Sequence, residues 1–348
     1  MNLRSHFLAG QVMPAHPLAL DRNRKFSEKH QRALTRYQLA AGAGGLAVAV
    51  HSTQFEIRDP QHSLLKPVLE LAAETVRAEL AAKPRDVALV AGVCGHTAQA
   101  TLEAELARSL GYHAGLVSMA AFRSEPESAI LAHITTVSEI IPVVGFYLQP
   151  AVGGRVFSYA FWRQFAEIPG IVAIKIAPFN RYQTIDVVRA IVAAGRDDIA
   201  LYTGNDDTIV TDLLTPFVFE HQGRPVTRRI VGGLLGHWGV WTHAAVRLFR
   251  DLQRAATAPH IDATWLSRAN AVTDMNAALF DAANKFHGCI PGILEVLRRQ
   301  GLVETNHCLN PAEVLSPGQA EELTRVSQAY PDLIDDDFIA QHRDEWLR

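Results

Sequence analysis

Lys175 stands in an apolar segment, GIVAIKIA, at residues 170–177. Burying an ammonium is costly unless it is paired or neutralised. Burial lowers a lysine pKa, and the neutral amine can attack a carbonyl to form a Schiff base. The plainer reading is a lysine whose head reaches solvent or a carboxylate at a rim. The chain has 27 Arg and six Lys, and the other five Lys have polar or loop-like neighbours. Tyr147 ends IPVVGFYL just before a Pro-containing turn. Its phenol could transfer protons at the carbonyl carbon of a Lys175 adduct. Alone, an aromatic packed at a strand end explains it better. Ser52 and Thr53 follow GGLAVAV, where hydroxyls and amides can bind a carboxylate or relay a proton to Tyr147, or simply form a turn or cap. His51 precedes them, as a binding residue or a spacer. Gly204-Asn205-Asp206 either frames a pocket or makes a turn and helix cap.

Other chemistries leave weaker traces. His51, His96 and His237 fall at or just after predicted strands and could converge on one face, but neither HxH nor HExxH spacing occurs, and no metal ligands are assigned. Cys94, Cys289 and Cys308 form no CxxC pair; Cys94 reads as a buried, inert thiol. No GxSxG supports a hydrolase nucleophile.

These residues must be positioned by regular elements. Eight apolar runs recur, at 10–15, 44–50, 86–93, 114–119, 141–148, 170–177, 199–204 and 229–235. They are continuous rather than alternating, as in strands buried on both faces of a parallel sheet. Helical spacing fills the gaps, for example from Ser27 as a cap through residue 44, and from Thr97 to Gly111. The pattern predicts an α/β fold, a (β/α)8 barrel, with Lys175 toward the C-terminal end of the sixth strand. Barrel active sites lie at that end. An open doubly wound sheet is the alternative, weakened because no GxGxxG or GxxxxGK[ST] follows an early strand. From about residue 240 the pattern becomes helical throughout. The expected division is a barrel over 1–245 and a C-terminal helical region over 246–348 packed on it.

Composition narrows the partners. The 348 residues carry 33 Lys+Arg against 36 Asp+Glu, a net charge of −3, which gives no bulk drive toward nucleic acid. No apolar run is long enough for a membrane span, and the first residues contain no adequate secretory core. Few, scattered cysteines point to a reducing, cytoplasmic location.

Taken together, GIVAIKIA with Lys175, Tyr147 followed by Pro150, AGVCGHTAQATLEAELARSLGYHAGLV and LYTGNDD resemble the dihydrodipicolinate synthase/N-acetylneuraminate lyase family of Schiff-base aldolases. The resemblance runs from about residue 10 to about residue 300, and the 28-position separation of Tyr147 and Lys175 looks like the family's own. It implies a barrel with C-terminal helices, a homodimer or homotetramer, and no metal or organic cofactor. It implies that Lys175 condenses with the keto group of pyruvate or another 2-oxo acid. Tyr147 would handle protons near the carbinolamine, and Thr53 would hydrogen-bond it. There are departures. The family's Gly-Thr-Thr-Gly-Glu reads His51-Ser52-Thr53-Gln54-Phe55 here, which alters the carboxylate pocket. Val152 stands where the synthase has an arginine, so dihydrodipicolinate synthesis itself is disfavoured. Met119-Ala120-Ala121-Phe122 replaces a tyrosine pair, so the synthase's inter-subunit proton relay does not carry over.

Three functions compete. The first is a Schiff-base lyase, aldolase or dehydratase, for a sugar-acid or aromatic 2-oxo acid or aldehyde. It would use Lys175, Tyr147 and Thr53 catalytically, with Ser52, His51, Gly204 and Asn205 at the substrate. The second is a barrel that has lost turnover and serves binding or regulation. The third is a metal-dependent barrel enzyme using the strand-end histidines.

Overall fold

A computed structural model describes all of residues 1–348. The chain opens with α1 (Leu3–Leu8) and then alternates β1 (Val12–Pro14), α2 (Glu28–Ala40), β2 (Gly45–Val48), α3 (Leu65–Ala82), β3 (Ala88–Val93), α4 (Thr97–Ser109), β4 (Ala114–Val117), α5 (Glu127–Ser138), β5 (Val143–Leu148), α6 (Tyr159–Phe165), β6 (Ile171–Ala177), α7 (Arg181–Ala193), β7 (Ala200–Thr203) and α8 (Ile209–Leu214). An antiparallel hairpin, β8 (Phe217–His221) and β9 (Arg224–Arg228), interrupts the alternation before β10 (Gly232–Leu235) and α9 (Thr242–Thr257). Four helices follow: α10 (Thr264–Leu279), α11 (Cys289–Arg299), α12 (Gln319–Ala329) and α13 (Asp336–Trp346).

The eight long-range strands are parallel in the order β1-β10-β7-β6-β5-β4-β3-β2, and an Ala15–Ala47 bridge joins the two ends into a barrel. Each run predicted as a strand contains one of them. The hairpin was not predicted, because its polar, Pro-containing sequence lacks the continuous apolar signal. The helix α9 packs on β1 and α8 as the last of the barrel's outer ring, so the expected change of character near residue 245 falls inside it.

Two apolar layers result from strand alternation. The outward side chains join the helices in the larger core, which includes Ile174, Ile176 and Tyr147. The inward ones, including Met13, Val90, Val144, Phe146, Ala173 and Tyr202, fill the barrel. The short α1 closes one end: Phe7 is fully buried among these side chains and its carbonyl accepts from the Tyr202 hydroxyl at 2.9 Å.

Candidate active site

The parity of β5 and β6 decides which side chains can meet. Val143 pairs with Ile171, but Val144 pairs with Ala173, so a bulge at Val172 changes the offset between the strands from 28 to 29 residues. From there Phe146 lies beside Lys175 and Tyr147 beside Ile176. A one-residue slip exchanges the faces of every following side chain. Phe146 therefore shares the barrel interior with Lys175, and the Lys175 ammonium sits 4.5 Å from the centre of its ring. Tyr147 faces outward, fully buried against Trp162 and Phe157, where its hydroxyl accepts a hydrogen bond from the Phe157 amide at 3.3 Å. The structure does not bring Tyr147 to Lys175, contrary to the expectation from spacing alone.

Lys175 projects into a cavity of about 690 Å³, its open mouth included, at the C-terminal end of the strands. The polar lining comes from His51, Ser52, Gln149, Asp206 and Cys289. The rest is apolar: Phe146, Leu148, Val152, Phe179, Phe280 and Phe286 dominate it. Gly204 is there for a steric reason, since a Cβ at that position would lie 2.6 Å from Lys175 Cε and 2.8 Å from Ala177 Cβ. Of the expected site residues, Lys175, His51, Ser52 and Gly204 line one pocket.

Thr53 and Asn205 do not. Thr53 is fully buried behind the strand ends, donating to the His16 carbonyl at 2.6 Å and accepting from the Val50 amide at 3.2 Å. It ties β2 to β1. Asn205 turns into the loops: its Oδ1 accepts from the Phe179 amide, and its Nδ2 donates to Asp212 and Thr184. Both are short polar side chains next to unpaired backbone, and both satisfy it instead of reaching the cavity.

The next residue, Asp206, does reach the cavity. Its Oδ1 is shielded and has no hydrogen-bond partner. Burial pushes its carboxyl well above the usual range, opposed by the nearby Lys175 charge. Burial pushes the Lys175 amine down, opposed by Asp206. The two groups sense each other across the pocket without forming an ion pair. The Phe146 ring face favours the charged lysine by about 0.5–2 kcal/mol, so it also opposes desolvation. Burial, with the Lys175 charge adding, takes His51 down to about 4, which leaves a neutral imidazole at pH 7. Burial raises the Cys289 thiol far enough that it stays protonated.

Backbone strain fixes part of the wall. Phe179 and Phe286 have φ of +52° and +66°, a region that costs a side-chain-bearing residue about 1–2 kcal/mol. Their rings meet edge to face at 5.9 Å. The loop carrying Asp206 is held by α10, where Asn276 Nδ2 donates to the Asp206 carbonyl at 2.7 Å and Thr273 to that of Asp207 at 2.8 Å.

Sequence reasoning noticed Asp206 only within Gly204-Asn205-Asp206, read as framing a pocket or making a turn and helix cap, with no role of its own. It had no signal for Phe280, Phe286 or Cys289, which come from the C-terminal region across the barrel mouth. The strand-end histidines do not converge. His96 packs on Phe122, and His237 is buried with its Nδ1 bonded to Asn276, while His51 alone lines the cavity. The geometric premise of the histidine-metal reading is therefore not met. Met119, Ala120 and Phe122 border a separate groove with Arg123 and Arg155. Val152 does line the Lys175 cavity, which contains no arginine. Cys94 is an unreactive thiol, raised to about 11 chiefly by burial.

The family model of the dihydrodipicolinate synthetase family matches residues 9–217. A 4-hydroxy-tetrahydrodipicolinate synthase from Macrococcus caseolyticus is 28% identical over 185 residues, covering 51% of this chain and 59% of that relative's length. An N-acetylneuraminate lyase from Fusobacterium nucleatum shares the fold with a TM-score of 0.71 at 17% identity, covering 93% of this chain and 99% of that one. A prophage protein of the dihydrodipicolinic acid synthase family from E. coli K12, solved with pyruvate, superposes with a TM-score of 0.74 at 16% identity, covering 92% and 98%.

Proposed function

The chain belongs to the dihydrodipicolinate synthetase family, and from that premise we propose that it is a Schiff-base-forming lyase acting on pyruvate or another 2-oxo acid through Lys175. One observation carries the reading: a lysine amine, unpaired and desolvated, at the C-terminal end of a barrel strand in a largely apolar pocket. Desolvation raises the fraction of neutral amine, which is the nucleophile. The amine attacks C2 of the 2-oxo acid, and loss of water gives an iminium. That iminium then accepts the electron pair released when the C3–C4 bond breaks, or acidifies C3 before loss of a hydroxyl.

The lining also supports a substrate class. Lys175 is the only Lys or Arg lining the pocket, and imine formation commits it. Val152 and the phenylalanines offer apolar contact and no partner for a second anion. The reading is therefore a 2-oxo acid with a single carboxylate and an uncharged remainder, with Ser52 and His51 as the polar contacts available to that carboxylate. The family resemblance supports a homodimer or homotetramer as the working form.

The test is reductive trapping. Protein, pyruvate and sodium borohydride should give an added mass on the peptide containing Lys175, absent in Lys175→Ala. The absence of an adduct with pyruvate and with larger 2-oxo acids would remove the lyase assignment. The outward placement of Tyr147 favours one other reading, a barrel that forms the imine but turns over nothing. Trapping without any cleavage or dehydration product across a 2-oxo acid panel would favour it.

A further inference from the structure

The pocket holds a nucleophile but no phenol, so some other group must move the proton that imine formation requires. We propose that Asp206 does this work, acting as the acid that expels water from the carbinolamine on Lys175, in the place that Tyr147 does not reach. The inference rests on the Schiff-base reading of Lys175.

The pocket leaves few candidates. Groups facing it are Lys175 from β6, His51 after β2, Cys289 at the start of α11, and Asp206 after β7, with Asp207 beside it. Ser52 offers only a hydroxyl, held loosely toward the His16 carbonyl at 3.5 Å. The His51 imidazole is neutral and too weakly basic to carry the proton near pH 7. The Cys289 thiol is a poor acid for the same reason of burial. Asp206 is the one oxygen acid, and its Oδ1 is shielded, unpartnered and in the same cavity as the amine. An unsatisfied buried acceptor is costly and calls for an explanation in function. Its carboxyl is shifted upward by burial, which brings it toward the range where a general acid works at neutral pH. The loop is also braced: α10 fixes the carbonyls of Asp206 and Asp207, and Asn276 is itself held by His237 at 2.5 Å.

The step balances as follows. The Lys175 lone pair forms the C–N bond to C2, the carbonyl oxygen gains a proton and the nitrogen loses one, giving the neutral carbinolamine. The protonated Asp206 gives its proton to the C2 hydroxyl. The C–O bond breaks, water leaves, and the nitrogen lone pair closes the iminium. Asp206 is left as a carboxylate beside the new cation, which it stabilises. It is then placed to take the proton from a C4 hydroxyl as the C3–C4 bond breaks.

The experiment measures the rate of Lys175 modification, using pyruvate with sodium cyanoborohydride and intact-mass readout over time. Asp206→Asn should slow the modification by about 100-fold or more, the usual range for loss of a general acid. Two rescues separate chemistry from structure. Added acetate should restore part of the rate in Asp206→Gly, and Phe146→Tyr should recover about tenfold in the Asp206→Asn background by placing a phenol on the pocket face of β5. If Asp206→Asn does not fold, judged by circular dichroism, acetate rescue of Asp206→Gly and the pH–rate profile of Asp206→Glu take its place. A rate for Asp206→Asn within about threefold of the wild type overturns the proposal while leaving the Lys175 adduct intact. Absence of any adduct in the wild type instead removes the Schiff-base reading, and this inference with it.

Discussion

Tyr147→Phe separates the two accounts of this site most sharply. The Tyr147 hydroxyl is buried on the outer face of β5, where it accepts one hydrogen bond, from the Phe157 amide at 3.3 Å. Removing it leaves a buried N–H unpaired, which costs about 1–3 kcal/mol. The bond is long, so the lower end applies, about 1 kcal/mol. The ring contacts with Trp162 at 5.0 Å and Phe157 at 5.8 Å are unchanged by losing one oxygen. The rate of Lys175 modification by pyruvate should accordingly stay within about threefold of wild type, whereas loss of a general acid–base group costs about 100- to 10,000-fold. In barrier terms that is about 3–5 kcal/mol, well separated from no effect. Urea unfolding measures the first quantity and timed trapping with cyanoborohydride the second. A variant of unchanged stability with a hundredfold slower modification would mean that the phenol reaches the reacting carbon. The parity argument from the β5–β6 bulge would then be wrong.

Other perturbations follow from the same geometry. Gly204→Ala should destabilise the fold by about 1–3 kcal/mol in urea and slow Lys175 modification more than about tenfold, because the new methyl would lie 2.6 Å from Lys175 Cε and 2.8 Å from Ala177 Cβ; an unaffected rate would show that the lysine is not held there. Arg58→Ala should destabilise the fold by about 3–5 kcal/mol in urea, since Arg58 pairs with buried Glu103 at 3.0 Å and also donates to the Ala49 and Gly92 carbonyls at the ends of β2 and β3; a loss under about 1 kcal/mol, the value of a surface pair, would contradict the burial. Asp335, which accepts from Tyr37 and the His243 amide, is raised from 3.8 to about 6 chiefly by burial. The folded state therefore holds this proton more tightly than the unfolded chain, so the penalty is absent below pH 4, grows from 4 to 6 and is complete above that, at about 3 kcal/mol. Asp335→Asn should thus gain stability over wild type as pH rises through that window, measured by paired urea titrations at pH 4 and pH 8; a difference independent of pH would refute the assignment.

The barrel was legible because its strands are buried on both faces and read as unbroken apolar runs. Lys175 was legible for the same reason: a cation inside such a run has few structural explanations. The hairpin from Phe217 to Arg228 was not, because only alternate residues on it are shielded and Pro225 breaks its signal. The aromatic mouth was not either. Phe280 and Phe286 reach the pocket from a segment more than a hundred residues beyond Lys175, and nothing local in that segment announces the contact. Asn205 and Asp206 show how narrow the margin is. They are adjacent, equally polar and equally turn-like in sequence, yet one secures the loop and the other faces the amine.

The bulge at Val172 has the largest consequence for chemistry. A separation of 28 positions places a tyrosine and a lysine side by side when two parallel strands run in register, and Val143 with Ile171 begins in that register. One extra residue on β6 moves the pairing to 29 and separates the two, since the unbroken alternation of β5 keeps the tyrosine in the outer core, packed on Phe157 and Trp162 in a cluster that also holds Phe161 and Phe165. Gly145 belongs to the same arrangement, since a Cβ there would lie 2.5 Å from the Phe165 ring. The lysine is the residue that the bulge reorients: Val172 and Ala173 both face the barrel interior, so the alternation restarts there and Ala173, Lys175 and Ala177 point inward. Its neighbour changes with it. An apolar ring now stands where a phenol would, and it supplies cation–π contact and desolvation but no proton. The only acid left facing the amine comes from the opposite neighbour, the loop after β7. The nucleophile and the proton source are thus set by separate strands, and a single inserted residue on β6 decides which β5 side chain the nucleophile meets.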